Sequence, residues 1–256
     1  MNAPLDTTLP REREQLILER LRREGKVVAA DLAQEFRVSE DSIRRDLRDL
    51  AAQGLCRRVY GGALLAVNIP PLGERHGERA ELKRELARTA IGLVGRGQIL
   101  FIDAGSTNTV LAKMLPENSD LTVVTNAPDV ALAVLGRPGF DVIVLGGKLD
   151  PAIGGAIGSR TVRQAQDIRA DLCFPGVCAI DPERGLWTYD EEETVFKQAI
   201  IEASGETVAI ATPDKLVASA THHTVPITGI AHLVVAADTD AAVVERYRAA
   251  GVTVHL

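Results

Sequence analysis

The chain has 256 residues, 46% hydrophobic and 25% charged, and a formal net charge of −6. This composition excludes a disordered or fibrous protein, the length exceeds what a single small binding module needs, and no apolar run approaches the roughly 20 residues of a membrane span. Residues 1–6 have neither a basic start nor an apolar stretch, so no signal peptide is expected and the protein is expected in the cytoplasm, with no membrane partner. Charge is uneven: residues 1–66 carry 12 Lys+Arg against 11 Asp+Glu, the remainder 17 against 24. Basic character is therefore a local patch. Cys56, Cys173 and Cys178 are odd in number and lack C-x-x-C spacing, so buried free thiols are expected. The five histidines show no metal-ligand spacing; the adjacent His222 and His223 read as a loop feature, and no metal or cofactor is expected.

In chain order, Leu16, Ile17, Leu18 and Leu21 mark an amphipathic helix, Val27-Val28 a short extended piece, and Leu32, Ala33 and Phe36 a second helix. After the turn Arg37-Val38, Ser39 is placed to cap a third helix, and Glu40 and Asp41 complement its positive end. Ile43, Leu47 and Leu50 share the buried face of that helix, leaving Ser42, Arg44, Arg45 and Arg48 outward. Gly54 closes it, and residues 55–63 alternate like a hairpin carrying Arg57, Arg58 and Tyr60. Helix, turn and recognition helix followed by a wing predict a DNA-binding face made of Ser39, Ser42, Arg44, Arg45, Arg48, Arg57, Arg58 and Tyr60. The alternative is a solvated helix whose arginines pair with Glu40, Asp46 and Asp49; the surrounding elements favour DNA.

Arg13, Val38-Ser39-Glu40, Ile43-Arg44-Arg45-Asp46-Leu47 and Arg58-Val59-Tyr60-Gly61-Gly62-Ala63 together resemble the DeoR-type winged helix-turn-helix signature of bacterial sugar-metabolism regulators. Ser42 stands where that family usually has threonine; it keeps the hydroxyl and loses a methyl that could meet a thymine.

Two prolines, Pro70 and Pro71, mark a stiff connector, so the expected domains are residues 1–66, a linker 67–73, and residues 74–256. Beyond it a long helix is predicted over 74–94. Apolar runs at 99–102, 122–125, 142–145, 172–177, 207–211 and 233–236 alternate with helical stretches at 107–114, 128–135, 161–168, 192–204 and 239–249. This pattern predicts an α/β domain with a mostly parallel sheet covered on both faces. Polar residues gather at the expected C-terminal strand ends, where open α/β sheets bind ligands. Asp103, Gly105, Ser106 and Thr107 open into a helix as a phosphate cradle, with Asn126, Gly147, Lys148, Gly176 and Lys215 at further strand ends. There is no G-x-x-x-x-G-K-[ST] or G-x-G-x-x-G after a strand, so neither a nucleoside triphosphate nor a dinucleotide is indicated.

Asp103-Ala104-Gly105-Ser106-Thr107, Thr125-Asn126, Gly146-Gly147, Gly176-Val177 and Glu192-Glu193 with Lys197 resemble motifs of the DeoR-type effector domain, which is similar in fold to ribose-5-phosphate isomerase. The resemblance implies a phosphorylated sugar held by Ser106, Thr107 and the amides around Gly105, with Asn126, Gly147 and Lys215 around it. Pro175 departs from the family's F-x-G-V strand and is expected to bend it. Thr212 replaces the aspartate usual three residues before the lysine. The run 190–193 reads chiefly as a helix N-terminus, with Glu193 the member that faces the ligand; Trp187 to Tyr189 are a candidate lid.

The expected function is transcriptional regulation, by a repressor whose partners are operator DNA, a phosphorylated sugar effector and further copies of itself. The alternative is a sugar-phosphate isomerase or deaminase fused to a DNA-binding domain. Enolisation needs a base, for which Asp103, Asp181, Glu193 and Lys215 are available, but no spacing marks one and no catalytic residue is assigned. A scaffold that binds DNA constitutively would leave a clustered anion site without a use.

Overall fold

Apolar residues three and four apart dictate the helices of the first unit. The computed structural model describes residues 10–53, 55–65, 72–75 and 77–256. The chain divides into two units, Met1–Ile69 and Pro70–Leu256. Gly54, Ala66 and most of the expected connector, residues 67–71, lie outside the described residues.

The first unit runs α1 Pro10–Glu24, β1 Lys26–Val28, α2 Ala29–Phe36, α3 Glu40–Ala52, β2 Cys56–Val59 and β3 Gly62–Leu65. Ile17 and Leu21 of α1, Leu32 and Phe36 of α2, and Ile43, Leu47 and Leu50 of α3 share one core with Cys56 and Ala63. Arg37 ends α2 in the left-handed conformation, and the Ser39 hydroxyl caps α3 by accepting from the Ser42 amide at 3.2 Å. Strands β2 and β3 form the wing, and β1 completes an antiparallel sheet in the order β1-β3-β2. Only glycine fits at position 62, where a Cβ would lie 2.0 Å from the Val27 carbonyl oxygen.

Asp46 departs from its expected setting. It turns into the unit and accepts from the Arg13 guanidinium of α1 at 2.6 and 3.1 Å, with both side chains nearly closed to solvent. The hydrogen bond to Asp46, opposed by burial, raises the Arg13 pKa. This fork fixes α1 against α3, because a guanidinium meets a carboxylate well only in that planar geometry.

The second unit begins with α4 Leu72–Arg75 and α5 Ala80–Ile91 in place of the one long helix predicted. Leu72 and Gly73, expected in the linker, are thus helical. Gly77 lies between the helices, and Arg79 takes a positive φ of 51° at the start of α5. The Arg75 carbonyl accepts from the Lys83 ammonium at 2.5 Å, and the Arg75 guanidinium donates to the Ala152 carbonyl at 2.7 Å. These long-range bonds replace the continuity of a helix, which glycine already weakens by about 1 kcal/mol relative to alanine.

Next come β4 Ile99–Ile102, α6 Ser106–Met114, β5 Leu121–Thr125, α7 Pro128–Val134, β6 Phe140–Val144, β7 Lys148–Asp150, β8 Gly155–Ile157, α8 Ser159–Gln166, β9 Ala170–Phe174, β10 Ala179–Asp181, β11 Gly185–Thr188, α9 Glu191–Glu202, β12 Ser204–Ile210, β13 His222–Val225, β14 His232–Val234, α10 Ala241–Ala249 and β15 Thr253–His255. Seven strands form a sheet in the order β15-β14-β12-β9-β4-β5-β6, and every pairing in it is parallel. Alternate residues of β4 point to opposite faces. Leu100 and Ile102 pack with Leu86, Leu111 and Val130, whereas Phe101 packs with Ala165, Phe196 and Ile200. Both faces are covered.

The unexpected additions are the hairpin β7-β8 and the antiparallel sheet β10-β11-β13. His222 and His223 lie in β13 rather than in a loop, and the His223 ring meets Trp187 edge-on at 5.1 Å. Strand β9 ends at Phe174, so Pro175 opens the following loop instead of bending the strand. Among the described residues no helix is long and apolar enough to cross a membrane.

Asp46→Ala leaves the Arg13 charge buried without its partner and should destabilise the protein by about 3 kcal/mol. Replacing both residues with apolar side chains should recover most of that loss. Urea denaturation of the full chain measures both.

Candidate functional site

The chain order β4, β5, β6 runs to one side of β4, and β9, β12, β14, β15 to the other. The loops leaving adjacent strands β4 and β9 therefore part in opposite directions, opening a crevice at their C-terminal ends. Asp103 follows β4 and Gly176 closely follows β9. The Asp103 carboxylate accepts from the Ala104 amide at 2.7 Å, the Gly176 amide at 2.8 Å and the Lys197 ammonium at 2.5 Å. Asn108 joins the two strand ends, donating to the carbonyls of Asp103 at 3.0 Å and Phe174 at 2.8 Å. Gly176 is required here: a Cβ would sit 2.4 Å from the Ala104 carbonyl oxygen.

Lys197 of α9 is fully buried between two carboxylates, Asp103 and, one turn back on its own helix, Glu193 at 2.9 Å. Burial alone would lower its pKa; Asp103 and then Glu193 outweigh it and hold the ammonium above the ordinary lysine range. The N-terminus of α9 forms as expected, with Asp190 capping the Glu193 amide at 2.9 Å. Cys178 donates its thiol to Glu193 at 3.8 Å; burial, then the neighbouring Glu193 charge, push its pKa up to about 12. Tyr189 is likewise raised to about 12, first by burial and then by Cys178 and Asp214.

Around this centre, Asn126 accepts from the Ala104 amide at 3.2 Å and donates to the Ala156 carbonyl at 3.0 Å. Gly105 leads into α6, whose first amides are capped by no side chain. Asp103, Gly105, Ser106, Asn126, Gly176 and Glu193 are thus brought into one connected region, with Thr107 on the first turn of α6. Lys215, in the turn Pro213–Leu216, lies 3.4 Å from Asp214 and acts electrostatically on Cys178. Gly147 is packed on α8: its Cβ would fall 2.2 Å from Thr161 Oγ1, and only a glycine lets the chain lie this close. Lys148 is exposed on β7, and among the described residues no bond joins it to the others. Trp187 belongs to β11 and packs on His223.

Sequence reasoning left out Lys197 and Asn108, which hold this centre, and two further cations of the same domain, half-buried Arg75 and buried Lys83. Lys83 did leave a signal, since it falls in the buried stripe of α5 with Leu86, Ala87 and Ala90. Burial lowers the pKa of both Arg75 and Lys83.

On the first unit, Arg45, Arg48 and Arg58 are exposed and form no ion pair among the described residues, and Tyr60 is fully exposed. Arg44 is engaged by Glu40 at 2.7 Å and Asp41 at 3.4 Å, both exposed pairs that water and salt weaken. Ser39 and Ser42 face each other at 3.0 Å between hydroxyls. Arg57 belongs to β2.

Lys197→Met should leave Asp103 and Glu193 without their cation and destabilise the protein by about 3 kcal/mol or more at neutral pH. Because the folded pKa of Lys197 is raised, its contribution is present throughout the neutral range and lost only at pH above the ordinary lysine range. Thermal melting as a function of pH measures it.

Residues 13–68 match the DeoR-like helix-turn-helix domain, and residues 78–237 the DeoR C terminal sensor domain. The chain is 31% identical over 250 residues to the putative aga operon transcriptional repressor of Escherichia coli O157:H7, covering 96% of this chain and 93% of that one. It is 36% identical over 196 residues to the glycerol-3-phosphate regulon repressor of Escherichia coli strain K12, covering 75% and 77%. Among solved structures, ribose 5-phosphate isomerase A of Neisseria gonorrhoeae aligns with a TM-score of 0.39 at 16% identity, over 53% of this chain and 52% of that one. With a helix-turn-helix domain before a sensor domain and a relative matched over nearly its whole length, this chain belongs to the DeoR family of DNA-binding transcriptional regulators.

Proposed function

We propose that this protein is a homo-oligomeric repressor of genes for the use of a phosphorylated carbohydrate, releasing its operator when that compound or a close derivative occupies the sensor site. The observation that carries the DNA-binding half is the outward face of α3, where Arg45 and Arg48 stand exposed, without an ion pair among the described residues, while Asp46 is turned away to Arg13. Helix α3 enters the major groove in this docking, and the wing carries Arg58 and Tyr60 to the backbone beside it. The names of the two Escherichia coli relatives support the repressor reading and the carbohydrate-related target genes.

For the sensor half, the uncapped amides of α6 and Lys215, whose charge acts on Cys178, favour an anion, and Asn126 after β5 and Glu193 on α9 are available to receive hydroxyls. A ligand acts on operator binding only through unequal affinity for the two states of the oligomer. The carboxylates that catalysis would need have other work. Both oxygens of Asp103 are engaged, Glu193 is held by Lys197, and Asp181 accepts the amides of Glu183 and Arg184 at 2.8 Å in a hairpin turn. These engagements favour a sensor over an isomerase.

Fluorescence anisotropy on DNA upstream of the protein's own transcription unit, at fixed salt, with a panel of sugar phosphates, tests the reading. Tight binding relieved by one compound is the expected result; binding indifferent to all of them, or turnover of any of them, would sink it. Arg45→Ala and Arg48→Ala should each weaken operator binding roughly 10-fold or more. Arg58→Ala should reduce the salt slope by about one phosphate contact.

A further inference from the structure

Lys83 carries a buried charge that the fold compensates only in part, since burial outweighs the opposing charges around it. It is 5% exposed, on the face of α5 that packs with Leu86, Ala87 and Ala90. Its ammonium donates to the Arg75 carbonyl oxygen at 2.5 Å, and among the described residues it has no carboxylate partner. Burying an ammonium without an anion is costly, and such a charge persists where something outside the fold repays it. The surroundings add to the imbalance. Glu78 offsets part of the burial, Arg75 and Lys215 oppose Lys83 as like charges, and Asp214 is already shared with Arg79 and Lys215.

These cations border the site described above. Arg75 feels the charges of Cys178 and Glu193, Lys215 acts on Cys178, and Glu193 reaches Asp103 through Lys197. Helix α4 is pinned to the same region. Its Arg75 guanidinium holds the Ala152 carbonyl, and Leu72 lies against Gly154, where a Cβ would fall 2.2 Å from Leu72 Cδ2. The next residue, Gly155, packs so closely on Ala104 and Asn126 that a Cβ would be 2.8 Å from each.

We propose that Lys83 is an effector-binding residue: its ammonium takes the ligand's phosphate together with Lys215 and the first amides of α6, and its bond to the Arg75 carbonyl ties the occupied site to α4. This rests on the reading of the site as a phosphorylated-sugar sensor. Helix α4 is the first described element after residues 66–71, which lead from the DNA-binding domain. A bound phosphate compensates the buried charge, and the one ammonium then holds ligand and helix together. Occupancy is thereby expressed at the start of the sensor domain, through a lysine three residues into α5.

The test uses the full chain with inorganic phosphate as the probe, by calorimetry and by amide hydrogen exchange. Lys83→Met should bind phosphate roughly 10- to 100-fold more weakly than the unaltered protein, the loss expected of a charge-assisted hydrogen bond, and Lys83→Arg should recover part of it. Phosphate should slow exchange over residues 72–83 in the unaltered protein and not in Lys83→Met. Without phosphate, Lys83→Met should melt no lower than the unaltered protein; a lower melting temperature would mean that the fold already repays the burial of this charge and would overturn the proposal. Phosphate affinity of Lys83→Met within about twofold of the unaltered protein, or exchange at 72–83 indifferent to phosphate, overturns it too. Ser106→Ala separates the two readings. If it loses phosphate while Lys83→Met keeps it, the sensor site stands and Lys83 is removed from it; if the unaltered protein binds no phosphate at all, both fall.

Discussion

The sensor domain depends on one buried contact, the Lys197 ammonium on the Asp103 carboxylate. It joins α9 to the end of β4 at the point where the order of the parallel strands reverses, and the Gly176 amide adds the end of β9 to the same oxygen. Removed from water, neither charge is tolerable alone, so each fixes the other's position more firmly than packing of apolar side chains could. The loops that leave β4 and β9 inherit that precision. Glu193 completes the neutralisation, and the same ion pair fixes the orientation of its carboxylate.

The domain-level pattern was plainly legible in the sequence. Runs such as Ile99–Ile102 and Leu121–Thr125 are continuous apolar strands because helices cover both sheet faces, and α6 begins where small residues end β4. The small sheets were not legible, since β7, β8 and β10 are three residues each, too short for alternation to register. The break between α4 and α5 was hidden because the bonds around it come from Lys83 and Ala152, the latter far away in the chain.

For the site, residues that end strands were recognisable. Asp103, Asn126 and Gly176 gather because a parallel sheet aligns its C-terminal ends. What single-residue reasoning could not separate was a glycine that opens into a helix from one packed on a helix. Gly147 followed a strand just as Gly105 did, and only the nearness of Thr161 distinguishes it. Lysines were harder still. Lys148 looked well placed and is on the surface, while Lys83 looked like an ordinary helix residue and is buried.

The inward turn of Asp46 has a consequence for how such a regulator diversifies. The residues that fix α3 in its unit, Ile43, Asp46, Leu47 and Leu50, occupy one side of the helix, and Arg45 and Arg48 on the other side are exposed and form no ion pair among the described residues. Under the proposed docking, those outward positions are the ones that meet base edges. Operator preference and structural integrity therefore reside in different residues of a single helix, and descendants of this chain are free to acquire new target genes without first acquiring a new fold.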